Sequence, residues 1–261
     1  MIRLLQLTLV LLSLLPATRL IAGETVLVAV AANFAPVAEE LGYRFTNMTG
    51  EPVKFSTGAS GTLARQIRHG APFQLFLSAD EKYVDTLARE GLTVDKGRIY
   101  ALGVLVLYLP WSSGLNRMQD IGDILKQLVA EGRFKVALAN PAIAPYGLAA
   151  RHVLDRFDKD NRLAGRMIIG ENVGQAAQYA LTDNVDAALI PYSLALNKDM
   201  QAAGNFEMIP ADWYPPVRQR MVLLRSAGSA AKEFYQYLDS ETARQVIRNY
   251  GYALPEQRTE D

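Results

Sequence analysis

Four short loops carry the chemistry that this chain can offer: Ala31-Ala32-Asn33-Phe34-Ala35-Pro36, Ala59-Ser60-Gly61-Thr62, the run from Ala139 through Pro145-Tyr146-Gly147, and Gly170-Glu171-Asn172-Val173-Gly174. Each is rich in small, hydroxyl or amide residues and runs into a helical pattern. The first helical N–H groups have no partner within their own helix, and the helix dipole is positive there, so such a start is a receptor for an anion. Asn33 can cap its helix or donate its side-chain amide. Pro36 stands in the first turn, where a missing N–H costs nothing. None of the four loops contains Lys or Arg. An oxyanion held there would be bound by neutral dipoles, which select by size and donor geometry and must offset the cost of removing a charge from water.

Taken singly, each loop also has an ordinary structural meaning. Ser, Asn and Gly at helix starts are common caps. Tyr146 and Tyr192 suit half-buried packing, Asp80 suits a turn or capping acceptor, and His69 and His152 suit solvated helix faces. Ser60 lacks the G-x-S-x-G setting of an esterase nucleophile and has no evident histidine partner, which counts against an exported α/β hydrolase.

Composition narrows the classes. The 261 residues suffice for one large or two modest domains. Basic and acidic residues balance at 27 each, with no basic stripe to recruit nucleic acid. Cysteine is absent, and there are only two histidines. That removes disulfides, thiolate chemistry and Cys-based metal sites, and leaves little for a His-based one. The N-terminus, with Arg3, the apolar run Leu4 to Leu15 and small residues at Ala22 and Gly23, reads as a secretory signal peptide over residues 1–23. The apolar run is shorter than the ~20 residues of a membrane span. With no cysteine behind it, a lipoprotein anchor is excluded too.

Beyond residue 23, apolar strand-like runs alternate with helical patterns. Strands are expected at 25–31, 52–55 and 74–78, one long strand at 100–109, and further strands at 135–139, 167–169, 186–190 and 218–225. Helices are expected between and after them, one opened by a capping box at Ser78-x-x-Glu81 and one ended by Gly70. Continuous apolar strands separated by helices imply parallel sheet covered on both faces. The fold class is α/β, in two lobes: residues 24–104 with 218–257, and 105–217. Two crossing segments join them, near 103–106 and 212–218, and residues 258–261 form a mobile tail. Ligands of such sheets sit where strands end and helices begin, and a cleft between lobes favours a small ligand.

The blocks AANFAP, ASGTLARQIRHGAPFQLFLSADEKYVD, ANPAIAPYGLAA, ENVGQAA and FYQYLDSETARQVIRNYGY occur in the order seen in periplasmic molybdate-binding proteins of ABC importers, which this chain resembles over about residues 24–253. The resemblance implies a type II periplasmic-binding-protein fold with the ligand in the interdomain cleft. It implies a non-enzymatic, monomeric receptor in the periplasm that captures molybdate, and tungstate as well, and delivers it to an inner-membrane permease, with no cofactor. By motif it assigns the oxyanion to Asn33, Ser60, Tyr146 and the main-chain amide of Val173, with no direct ligand to the metal. Ala32, Gly61 and Tyr192 are secondary candidates. In some members a tyrosine late in the second lobe also donates; the aligned position here is Pro191, so Tyr192 is one residue off, and either that loop is shifted or Tyr146 supplies the phenol. The same fold tuned to sulfate, thiosulfate, a phosphonate or a small carboxylate is the alternative.

Overall fold

A computed structural model describes residues 24–115 and 120–255. The signal segment at 1–23 and the tail at 258–261 lie outside the described residues. The elements run β1 (Val26–Ala31), α1 (Ala35–Thr49), β2 (Val53–Gly58), α2 (Ser60–Arg68), β3 (Leu75–Leu77), α3 (Lys82–Arg89), β4 (Arg98–Gly103), β5 (Leu105–Pro110), α4 (Ile121–Ala130), β6 (Val136–Ala139) and α5 (Pro145–Phe157). There follow β7 (Met167–Gly170), α6 (Val173–Leu181), β8 (Ala187–Pro191), α7 (Tyr192–Ala195), α8 (Lys198–Ala203), β9 (Gly204–Met208), a 3-10 turn at Ala211–Trp213, β10 (Val217–Leu223), α9 (Ser229–Tyr237) and α10 (Glu241–Asn249).

The strands form two five-stranded sheets, β2-β1-β3-β10-β4 and β7-β6-β8-β5-β9. Both are mixed rather than parallel throughout. β10 runs antiparallel to β3 and β4, and β5 antiparallel to β8 and β9. The cause is the chain's path: a strand that enters a sheet from the other lobe arrives from the opposite direction. For the same reason the apolar run at 100–109 is two strands, not one. It breaks at Val104, with β4 in the first sheet and β5 in the second. The return crossing is 209–216, with three prolines and the short 3-10 turn.

Period-2 alternation sends the two faces of β1 to different cores. Val26, Val28 and Val30 pack with Phe34, Leu41, Phe45 and Phe234 under α1, α9 and α10, while Ala29 packs with Leu63, Ile67 and Val84 under α2 and α3. The second sheet is covered by α4 and α5 on one face and by α6 with α7 and α8 on the other. Its larger core also takes in Ala31, Ala32, Ala59 and Ala79, the small residues at the strand ends of the first sheet. These strand ends present only methyl groups to that core, which lets main chain approach closely there.

Two local expectations need correction. The helix after β3 has no capping box: its cap residue is Glu81, without a side-chain cap bond, and the Glu81 carboxylate instead pairs with Arg218 and Arg220. Nor does Asn33 cap α1, whose cap residue is Phe34. Gly70 does hold a left-handed turn, at φ +83°, just past the end of α2, and Asp80 is a turn acceptor for the Tyr83 N–H.

Candidate functional site

Parallel pairing aligns Ala31 of β1 with Gly58 of β2, and Ala139 of β6 with Gly170 of β7. The four loops that follow these strand ends therefore converge from the two sheets. They border a small hollow lined by Asn33, Ser60, Tyr146 and Val173, together with Ala32 and Ala79 among others. No lining residue is a lysine, arginine, histidine or carboxylate. Gly61 and Tyr192 are not in the lining. The Gly61 amide is already given to the Ile143 carbonyl at 2.9 Å, and the Tyr192 ring packs on Phe206, 5.3 Å between centroids.

The donors are main-chain groups. Asn33, Ser60 and Tyr146 are each 1% exposed and Val173 is 4% exposed, yet among the described residues none of their four N–H groups meets an acceptor. Buried N–H groups are otherwise nearly always paired. Four such groups, on residues that line one hollow and three of them in the first turn of α2, α5 or α6, make up a ring of unpaired donors. On α6 the next two N–H groups are satisfied locally. Asn172 accepts from Gly174 and Gln175 at 2.9 and 3.1 Å and leaves Val173 over. The Ser60 hydroxyl is not a cap. It accepts from the Ala79 N–H at 3.0 Å, which leaves its own proton for a further acceptor. Neither histidine hydrogen-bonds Ser60: His69 lies exposed at the C-terminal cap of α2 and His152 exposed on α5, so among the described residues Ser60 has no histidine base. Among the described residues no cluster of His, Cys, Asp and Glu could hold a metal ion.

Behind the ring lies a second polar layer in which the groups bond one another. The Asn33 side-chain amide gives its two protons to Gln219 Oε1 at 2.8 Å and Tyr252 Oη at 3.0 Å. Tyr252 Oη in turn donates to the Asn33 carbonyl at 2.7 Å, and the Ser193 hydroxyl donates to it at 3.1 Å. Tyr100 donates to Gln219 Oε1 at 3.0 Å, and Gln219 Nε2 donates to the Tyr146 phenol oxygen at 3.2 Å. Burial raises the phenol pKa of Tyr100, Tyr146 and Tyr252, with neighbouring phenols adding to it at Tyr100 and Tyr146, so all three stay neutral donors. Tyr100, Ser193, Gln219 and Tyr252 were not among the residues singled out from the sequence. Gln219 had a signal there: it alternates with Val217 and Met221 on the inward face of an apolar strand, where a polar residue needs buried partners.

At the opening, Gly61 N–H to Ile143 O and Tyr83 Oη to the Ala142 carbonyl at 3.2 Å bridge the two lobes. A Cβ at Gly61 would stand 2.6 Å from Tyr83 Oη and 3.1 Å from Ile143 Cα, so glycine is needed for this approach.

Residues 26–253 match the family described as bacterial extracellular solute-binding protein. The chain is 38% identical over 234 residues to the molybdate-binding protein ModA of Rhodobacter capsulatus, covering 88% of each. It is 36% identical over 231 residues to ModA of Azotobacter vinelandii, covering 87% of this chain and 89% of that one. The solved periplasmic molybdate-binding protein of Azotobacter vinelandii superposes with a TM-score of 0.80 at 31% identity, over 88% of this chain and all of that chain. The sulfate-binding protein SubI of Mycobacterium tuberculosis, at 14% identity and a TM-score of 0.71, shares the fold. With its two α/β lobes, its converging helix starts and these relatives, the chain belongs to the periplasmic molybdate-binding proteins within the bacterial extracellular solute-binding family.

Proposed function

We propose that the protein binds molybdate, and tungstate of the same shape, as a dehydrated oxyanion between its two lobes, and hands it to the permease of an ABC importer. The observation that carries this reading is the ring of unpaired N–H groups at Asn33, Ser60, Tyr146 and Val173 with the Ser60 hydroxyl, in a hollow without a cationic side chain. Charged hydrogen bonds from neutral dipoles are the strong ones when water is excluded. A ring made only of donors has no acceptor for an anion that keeps a proton. Fixed main-chain positions favour one oxygen spacing, so the smaller sulfate would satisfy fewer donors at once.

The lobes in this reading are 24–104 with 218–257, and 105–217, and they close on the anion as hinged binding proteins do. Export by the N-terminal segment would place the receptor in the periplasm as a monomer.

Titration calorimetry with molybdate, tungstate, sulfate and phosphate tests the assignment. Tight binding of the first two and weak binding of the others is expected. Equal affinity for sulfate and molybdate would sink it, and sulfate binding alone would move the chain to the sulfate receptors.

A further inference from the structure

Gln219 touches all three bonded partners from positions that belong to different parts of the chain. It lies on β10 of the first sheet, is fully buried, and sits at the bulge where the pairing with β4 shifts between Gln219 and Arg220. Its carbonyl oxygen takes a proton from Asn33 in the first lobe, and its amide gives one to Tyr146 at the start of α5 in the second. A primary amide has two donor hydrogens and one acceptor oxygen, and both ends are used here. Among the described residues no other side chain hydrogen-bonds two of the proposed anion-binding residues. The titratable side chains that bond or crowd this hub are the phenols of Tyr100, Tyr146 and Tyr252, while the flanking Arg218 and Arg220 turn their charges to Glu81 and Asp85.

The direction of the Gln219–Tyr146 bond has a chemical consequence. Because Gln219 donates, the phenol oxygen accepts, and the Tyr146 hydroxyl proton must point elsewhere; no described residue takes it. The phenol is also pinned from the far side. A Cβ at Gly103, in the crossing segment, would lie 2.1 Å from Tyr146 Oη, so the main chain of Gly103 walls the ring in. Asn33 is held with equal firmness, by Gln219, Tyr252 and Ser193, and its side chain has no proton left for an anion.

We infer that Gln219 is a positioning residue that sets anion affinity without touching the anion: it fixes the Asn33 loop of one lobe and the Tyr146 helix start of the other in one relative placement, and orients the Tyr146 phenol as a donor. The inference rests on the anion-binding reading of the ring. It goes beyond that reading in placing a determinant of affinity in β10, outside all four loops.

A double-mutant cycle on the mature protein tests it, using Gln219→Met, Tyr146→Phe and the pair, with Kd for molybdate from calorimetry. Tyr146→Phe keeps the ring and the main-chain N–H. Gln219→Met is expected to weaken binding about 10- to 50-fold, and to weaken it clearly less in the Tyr146→Phe background, since coupled partners are not additive. Gln219→Glu supplies a second readout. A carboxylate there accepts from Tyr146 instead of donating, so binding should be weaker than in Gln219→Met near neutral pH and should tighten as the pH falls, while the parent protein stays flat. Circular dichroism confirms that each variant is folded. A Kd for Gln219→Met within about twofold of the parent, or effects that simply add in the cycle, overturns the inference. If the parent binds sulfate and not molybdate, the ligand assignment fails, and the same cycle run with sulfate still decides the role of Gln219.

Discussion

The ring of main-chain amides and the polar layer behind it are neighbours built from shared residues, and they obey opposite rules. In the ring, the N–H groups of Asn33, Ser60, Tyr146 and Val173 are buried and unpaired among the described residues. In the layer behind, the side chains of Asn33, Gln219, Tyr100, Tyr252 and Ser193 bond one another. Asn33 belongs to both, giving main chain to one and side chain to the other, and Tyr146 joins them, its phenol oxygen accepting from Gln219 in the layer while its N–H and hydroxyl proton stay unpaired among the described residues. An unpaired buried donor costs about 1–3 kcal/mol, so the ring on its own destabilises the fold, and the oxyanion proposed to bind there would offset this. The layer behind is satisfied before anything binds. It supplies the fixed geometry that makes donors at set distances selective, because dipoles held by other bonds need no reorganisation when the anion arrives.

The sharpest way to break this division is to put a charge into the satisfied layer. Asn33→Asp keeps the shape but replaces two donated protons with a carboxylate facing Gln219 Oε1, which cannot donate to it. An uncompensated buried charge costs about 3–5 kcal/mol. Thermal or urea unfolding should show a loss of that size, and molybdate affinity should fall roughly 100-fold or more, since the charge also repels the anion. Burial raises the pKa of the new carboxyl, so the lost stability should return as the pH falls and its proton is restored. Stability unchanged at neutral pH would mean that the layer is open to water.

Removing a donor from the ring should act on binding more than on the fold. Ser60→Ala deletes a hydroxyl that can give a proton to a charged oxygen, a loss of about 1.5–3 kcal/mol in binding, or about 10- to 150-fold in Kd. It also strands the Ala79 N–H, so a smaller loss of stability is expected. An unchanged Kd would make Ser60 a strut for Ala79 and nothing more.

How much of this was legible in the sequence depends on whether local or distant partners decide. The helix starts could be read because small residues, prolines and apolar periodicity act locally. The Asn172 cap and the convergence of Asn33, Ser60, Tyr146 and Val173 on one hollow follow from loops that end parallel neighbouring strands. What could not be read was which atom of a residue faces which way. Asn33 suggested a cap or a side-chain donor, yet its amide is consumed by Gln219 and Tyr252, which are 186 and 219 residues away in sequence. The strand at 100–109 looked continuous because Val104 differs little from its neighbours; only the geometry of passing between sheets divides it. The edge strand β9 (Gly204–Met208) carries Gly, Asn and Glu and has no apolar run to announce it.

Weaker effects sharpen the comparison further. Asn172→Ala removes the cap of α6 but leaves the Val173 N–H in place. It should cost about 1 kcal/mol of stability and change Kd less than Ser60→Ala does. A larger change in Kd than for Ser60→Ala would mean that the cap, rather than the ring, fixes the position of Val173.

The smallest effect expected is that of pH on the unaltered site. No lysine, histidine or carboxylate lines the hollow, and the phenols of Tyr100, Tyr146 and Tyr252 are held above their ordinary value of 10.0 by burial. A raised phenol favours the folded state at every pH below 10.0, and that contribution is lost as the pH climbs past 10.0 towards the raised folded-state value, where the unfolded chain ionises first. Affinity should therefore be flat between about pH 6 and 9, while the unfolding midpoint should drop on the alkaline side. The alkaline drop should be smaller in Tyr252→Phe than in the parent, since one of the three phenols is gone. A tenfold change in Kd between pH 6 and 9 would reveal a titrating group facing the anion, and the division between a neutral ring and a neutral support behind it would fail.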